Sequence, residues 1–209
     1  MNEQVKNILK EIEDDNIFFH ELFDSNDVDL SDEYKKINYA YFRIIAGHYE
    51  AFINLIYSGH FSSGILLLRT MLELYVKSYY LEFIAKNNND SVLDYINDTK
   101  KFPDFFTMVK NLENYKNESE AGFDGFFEQF TKNNLASYEK FSLFSHGKGE
   151  FLKGFYRHHD KMIYSTEQIT DVLQTAKGLF ETLGILLFFV QNKNNKLKLL
   201  LDNIQSKKT

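Results

Sequence analysis

The chain has no cysteine and no tryptophan, one proline, Pro103, and ten glycines in 209 residues. Without cysteine there can be no disulfide staple, no thiolate metal site and no cysteine nucleophile. A sandwich or barrel rich in turns normally carries more proline, whereas long helices tolerate almost none inside, so the scarcity favours an all-α fold. No stretch alternates apolar and polar residues as a half-buried strand would. Long apolar runs are also missing. The most hydrophobic segment, Leu179 to Val190, is interrupted by Glu181 and falls short of the roughly 20 residues that span a bilayer. It reads as a buried helix or an oligomer seam. The segment from Met1 to Asp15 is charged and lacks the apolar core of an export signal. A soluble, cytoplasmic chain with no membrane partner is expected.

Positive charge is in deficit. Lysine and arginine number 24 against 30 aspartates and glutamates, a net charge of −6. Proteins that live by phosphate contacts usually present a basic face, so broad binding of duplex DNA is disfavoured. A local basic pocket for a nucleotide or a short single strand remains compatible with that balance. Phenylalanine and tyrosine are abundant, at 21 and 13 copies. With plentiful Asn and Lys, this matches the bias of an AT-rich genome, so a single Phe or Asn carries little meaning. A chain of this length buries roughly 70% of its unfolded surface and needs no staples.

Residues 1–209 read as a single helical domain. The first helix is expected from about Asn2 to Phe23, with Val5, Ile8, Leu9, Ile12 and Phe19 at helical spacing. The acidic segment from Asp24 to Asp29 breaks it. Ser31 is a candidate N-cap for a second helix from Asp32 to Tyr57, whose apolar face is read as Tyr34, Ile37, Tyr41, Ile44, Ile45, His48, Phe52 and Leu55. Ser58, Gly59 and His60 form a turn, and a third helix runs from Phe61 or Ser62 to about Lys86. Two shorter helices flank Phe102-Pro103. An exposed loop follows from Asn117 to Gly125, then a helix or broken helix pair from Phe126 to Ser145 and an irregular stretch from Gly147 to Tyr164. Ser165 or Thr166 caps a last long helix to about Asn192, and an amphipathic tail carries Leu197, Leu200, Leu201 and Ile204. The architecture expected is a helical bundle with long up-and-down helices.

The third helix breaks its own pattern. At about 100° per residue, Ile65, Leu68, Leu72, Tyr75, Val76, Tyr79 and Phe83 form an apolar stripe, and Arg69 falls inside it. Glu73 lies one turn on, at the margin. A guanidinium pointed at a core must find an anion or several acceptors. Two readings follow. Either Arg69 and Glu73 are an internal i,i+4 pair, or Arg69 lines a pocket and Glu73 orients it. A second irregular place runs from Tyr138 to Gly147. There Leu135, Tyr138, Phe141, Ser142 and Ser145 mark an inner side, and His146 sits one turn beyond Ser142, before a glycine. His146 is either a helix cap or a group that transfers protons near neutral pH.

The run Gly59-His60-Phe61-Ser62-Ser63-Gly64 leading into Arg69-x-x-x-Glu73 resembles the hallmark helix of a group of uncharacterised bacterial all-helical proteins. These later carry a Tyr-Arg-x-Leu-Ser-x-x-Val-His-Gly segment, matched here by Tyr138, Phe141, Ser142, His146 and Gly147. The two segments cover about one-eighth of the chain. That group is similar in outline to the HEPN superfamily of helical bundles, many of which are toxin or defence ribonucleases. The resemblance implies an arginine four to six residues before a histidine, on a helix that pairs with a partner subunit, the arginine stabilising phosphoryl charge and the histidine moving a proton. This sequence departs from that signature, because Glu139 stands where the arginine is expected and Lys140 is its nearest cation.

Other tempting clusters carry no signature. Adjacent histidines in Arg157-His158-His159-Asp160 diverge on a helix and suit one metal poorly. His20 and Asp24 lack the HExxH pattern. Gly147-Lys148-Gly149 is too short for a Walker loop, and no Gly-x-Ser-x-Gly elbow is present. The sequence thus implies no metal and no cofactor. It implies a polar pocket of Arg69, Glu73, Ser142 and Tyr138, with His146 as the catalytic candidate, for the anionic group of a nucleotide or RNA, in a homo-oligomer. The other reading is a non-catalytic helical interaction module or homodimeric scaffold in which these residues hold helices together.

Overall fold

The computed structural model describes residues 2–131, 156 and 164–207. These contain seven α-helices and no β-strand: α1 (Glu3–Leu22), α2 (Glu33–Tyr57), α3 (Phe61–Tyr80), α4 (Val92–Ile96), α5 (Phe105–Glu113), α6 (Thr166–Val190) and α7 (Asn194–Ser206). The expected all-α class holds. Nothing is said below of the segment carrying Tyr138, Ser142 and His146, which lies outside the described residues.

The helix ends follow their side chains. The Asn2 side chain accepts from the Gln4 amide and opens α1. Ser165 and Gln168 form the reciprocal capping box expected for α6. At α2 the cap is Asp32, whose carboxylate accepts from the Lys35 amide at 2.9 Å. Ser31 is not the cap, because its amide and hydroxyl both donate to Asp29, at 2.9 and 2.6 Å. Asp104, next to Pro103, caps α5.

The three residues between α2 and α3 fold them into an antiparallel pair packed along its length. At their contact a Cβ on Gly64 would stand 2.9 Å from the Ile56 Cδ1 atom, so the small residue lets the two helices close up. α6 packs against α1, α2, α3 and α7, and α5 covers α3. Because α2 is held between α3 and α6, its buried arc is Asn38, Phe42, Ile45, Tyr49, Phe52 and Ile56. That shares Ile45 and Phe52 with the face read in the sequence but is rotated from it by about 70°. Ile44, assigned to the inner face, is exposed. Asn38 belongs to the true face, its amide donating to the Ser78 carbonyl at 3.4 Å.

On α3 the expected stripe is buried from Ile65 to Tyr79. The α-helix stops at Tyr80, short of the expected Lys86, and continues as a π-turn over Leu81–Ala85, closed by the Lys86 amide on the Leu81 carbonyl at 3.0 Å. The apolar run of α6 is core rather than seam, since Leu179, Phe180, Leu183, Leu186, Leu187, Phe188 and Val190 are buried. The whole helix, at 25 residues, is long and apolar enough to cross a bilayer, but more than half of its apolar window is buried inside the protein. α7 folds back on it and buries Leu200. Lys177 ties the layers together, 2.9 Å from Glu11 and 3.4 Å from the buried Asp15. Asp15 also meets Lys207 of the tail.

α6 holds two glycines with opposite roles. A Cβ on Gly184 would come 2.7 Å from the edge of the Phe19 ring. That ring cannot swing away, because Phe23, Phe42, Phe180 and Phe188 surround it at 5.4 to 5.9 Å. A Cβ on Gly178 would meet nothing within 4 Å. Gly184→Ala is therefore expected to destabilise by about 1–3 kcal/mol through overpacking. Gly178→Ala should stabilise by about 0.5–1 kcal/mol through helix propensity. Urea unfolding of both variants checks the opposite signs, and equal signs would refute the packing argument.

Candidate functional site

Three charges stand one turn apart on α3. The Arg69 Nη1 atom lies 3.8 Å from one carboxylate oxygen of Glu73, and the Lys77 Nζ atom lies 2.9 Å from the other. The spacing is the i,i+4 repeat of a helix, so all three share one face. The side chains are 20%, 32% and 23% exposed in chain order. Arg69 thus sits at the border of the core. Tyr41 of α2 faces the same carboxylate, and its hydroxyl is pushed up to about 12 by burial and by the negative charge of Glu73. The Lys77 Nζ atom is also 5.4 Å from the centre of the Phe102 ring, which gives the cation a second support.

The structure therefore brings Arg69 and Glu73 together as a pair and adds Lys77, which sequence reasoning missed. The signal was present, because Glu73 and Lys77 repeat the spacing of Arg69 and Glu73. Tyr138, Ser142 and His146 lie outside the described residues, as do Glu139 and the histidines at 158 and 159. At the start of the same helix, the Ser62 and Tyr164 hydroxyls hydrogen-bond at 2.8 Å, and the Phe61 and Tyr164 rings meet edge to face. This fixes the N-terminal turn of α3 to the residue just before the α6 cap.

A second polar centre lies where α3 becomes a π-turn. Such turns are common at functional sites because the extra residue displaces side chains from the helical register. Here the displaced group is Glu82, whose side chain is only 7% exposed. One oxygen accepts from Lys86 at 2.6 Å, and the other has no hydrogen-bond partner among the described residues. Burial raises the Glu82 carboxyl above its ordinary range, against the pull of Lys86, and the negative charge of Asp32 adds to the rise. Beside it, Asp90 collects the Tyr95 hydroxyl at 2.8 Å and Lys100 at 2.6 Å, while its carbonyl accepts from Tyr34. The bond from Lys100 holds the Asp90 carboxyl below its usual range, with burial opposing and Tyr95 assisting. These groups lock the end of α3 to α2 and α4.

Among the described residues no cluster of histidine and carboxylates could hold a metal ion. The residues thus define a helical bundle with a mixed-charge ladder on α3. Compared with known protein families, curated proteins and solved structures, the chain matches none.

Glu82 gives a pH test. A carboxyl raised in the folded state contributes its stability below its unfolded value and loses it as pH rises through the folded value. Removing the charge with Glu82→Gln should therefore stabilise the protein at pH 7. The advantage should shrink as the pH falls below the ordinary carboxyl value of 4.5. Urea unfolding at neutral and acid pH measures it, and a difference independent of pH would show that desolvation of Glu82 is not the cause.

Proposed function

We propose that this chain is a HEPN-like helical protein whose α3 face binds the anionic group of a nucleotide or RNA, without efficient nuclease activity. The observation that carries the reading is the sharing of one carboxylate, Glu73, between two cations, Arg69 and Lys77. Arg69, Glu73 and Lys77 together bring two cations and one anion to one face, in a chain whose balance is −6. An exposed i,i+4 ion pair is worth only about 0.3–0.5 kcal/mol. Helix stability is thus a weak reason to place two cations at the border of the core. An arginine fork beside a lysine suits phosphate oxygens, the first as a bidentate donor and the second as a point charge. Glu73 holds both heads in place when no anion is bound. Ser142 and Tyr138 would add hydrogen bonds and His146 a titrating group, on the strength of the sequence resemblance alone. The same resemblance implies a defence or toxin–antitoxin setting and a homo-oligomer.

The second reading, a non-catalytic interaction module, is favoured by the regular i,i+4 spacing of the ladder, which a helix adopts without any ligand. The two readings part at Arg69. If Arg69 contacts the anion, inorganic phosphate or a nucleotide should raise the melting temperature of the wild type through linkage and do nothing for Arg69→Met. A tenfold excess of ligand over its dissociation constant corresponds to about 1.4 kcal/mol. Equal shifts in both proteins would reject Arg69 as the contact. If the ladder is only structural, no ligand shift appears, and replacing Arg69 and Glu73 together by apolar residues leaves stability nearly unchanged.

Cleavage of single-stranded RNA is expected to be weak. Glu139 stands where the HEPN signature has arginine, and a carboxylate there repels the phosphate whose charge grows in the transition state. Activity that appears only in Glu139→Arg would support a degenerate site. Robust wild-type cleavage abolished by His146→Ala would overturn the expectation.

A further inference from the structure

We propose that a cleft walled by α6, α7 and the strap of residues 123–130 is a binding site for a neutral, flat, two-ring heteroaromatic molecule with amide-type edges, the chemical class of a purine base. The cleft has a volume of about 430 Å³, within the range of small-molecule sites. It shares no residue with the ladder on α3.

Two of its walls are anchored away from the opening. The strap is tied to the end of α5, because the Glu113 carboxylate accepts the backbone N–H groups of Gly125 at 2.6 Å, of Glu128 at 2.7 Å and of Phe127. Bonds from three donors to one carboxylate are of the strong, charge-assisted kind. Phe127 is fully buried, edge to face with Tyr79 at 5.2 Å and 6.1 Å from the Tyr75 ring, so it pegs the strap onto α3. α7 is held by Leu200 against Gly184 and by Lys207 on Asp15. The space between these walls therefore does not depend on a guest.

α6 supplies the floor. Gly178 lines the cleft, and a Cβ there would meet nothing within 4 Å. A glycine inside a helix weakens it, and no close approach of a neighbouring element requires this one. What the missing side chain leaves is open floor. One turn on, the Thr182 hydroxyl donates to the Gly178 carbonyl at 2.6 Å and accepts from the Tyr75 hydroxyl at 2.9 Å. A hydroxyl oxygen has two lone pairs, so Thr182 keeps one acceptor position in a fixed orientation. Apolar surface remains open around it. Phe126, Ile185 and Ile204 are only partly buried, and Leu201 is 36% exposed. Phe127 and Phe130 hold the Phe126 ring edge to face, at 5.0 and 6.1 Å.

The polar groups select the guest. Each wall brings one glutamine to the cleft: Gln129 from the strap, Gln174 from α6 and Gln205 from α7. The Gln129 Nε2 atom donates to the Phe126 carbonyl at 2.5 Å, which orients that amide and leaves its oxygen as an acceptor. A primary amide both donates and accepts, and so matches a ring edge on which N–H groups and acceptor nitrogens alternate. Among the described residues lining the cleft, Glu181 alone carries charge, and it faces Lys177 at 3.9 Å. An anionic guest would be repelled by Glu181, and a hydrocarbon would leave the amides unused. A neutral ring with polar edges uses the apolar surface and the amides together.

The test uses adenine, uncharged at neutral pH, as probe with the full chain, by isothermal titration calorimetry and ligand-observed NMR. The wild type should bind it with a dissociation constant of about a millimolar or below, in keeping with the affinity that so small a molecule can reach. Indole has the same two-ring shape with a single donor, and should bind at least about threefold more weakly. Gln174→Met and Gln205→Met should each weaken adenine binding about threefold, as loss of a neutral hydrogen bond does, and leave indole unchanged. Gly178→Leu should abolish binding of both while leaving the helical circular dichroism intact, because the position is open and leucine is a good helix former. Glu113→Gln should weaken adenine binding and speed hydrogen exchange at the Gly125, Phe127 and Glu128 amides. Arg69→Met should bind adenine as the wild type does, which separates this site from the one on α3. No adenine binding at about five millimolar, indole bound as tightly as adenine, or equal binding by the wild type and Gly178→Leu would overturn the proposal.

Discussion

The fold turns on the seat of the Phe19 ring against the bare backbone of Gly184. That contact brings α1 within side-chain reach of α6 and places Phe19 among four other phenylalanines, from the end of α1, from α2 and from α6. Leu200 of α7 presses on the same glycine from another direction, 3.1 Å from where a Cβ would stand. Four helices therefore share one point of close approach. Interiors packed to crystal density transmit displacement rather than absorb it, so the position of α1 fixes both the salt links of Lys177 and the aromatic cluster around Phe19. Polar links at the layer edges follow from this packing. Lys177 is raised above its ordinary value although its own burial works the other way, because Glu11, Asp15 and Glu181 surround it.

Much of the helical scaffold was legible because it depends on local chemistry. The cap Ser165, the turn at Ser58 to His60 and the stripe on α3 need only spacing and side-chain type. What the sequence concealed depends on assembly. The inner face of α2 was read rotated from its true direction because Asn38 looks polar and Ile44 looks apolar, whereas the fold buries the first and exposes the second. The π-turn adds one residue to one turn, and no periodicity analysis over a longer window resolves that. The site was legible only in part. Arg69 and Glu73 stand out as charges against an apolar stripe, yet the role of Lys77 appears only when the three heads are seen on one face.

The two polar centres of α3 differ in a way that sorts their roles. Around Asp90, lysine and tyrosine donors converge on a single carboxylate, and the result is a lock between elements. On the ladder one carboxylate serves two cations, one turn to either side of it. The first arrangement gathers donors from several elements, and the second strings charges along a single helix. Glu82 lies between these extremes, with one oxygen engaged and the other buried without a hydrogen bond among the described residues.

The pairing of α1 with α6 also sets a schedule for biosynthesis. Glu11 and Lys177 are 166 residues apart. At about 5–20 residues per second, α1 leaves the ribosome roughly ten to thirty seconds before its partner is made. Through that interval its face of Val5, Ile8, Leu9, Ile12 and Phe19 lacks the cover that α6 supplies. The antiparallel pair of α2 and α3 forms from adjacent sequence and can fold at once, and its Phe42 offers Phe19 an early neighbour. The rest of the α1 face waits for the last fifth of the polypeptide.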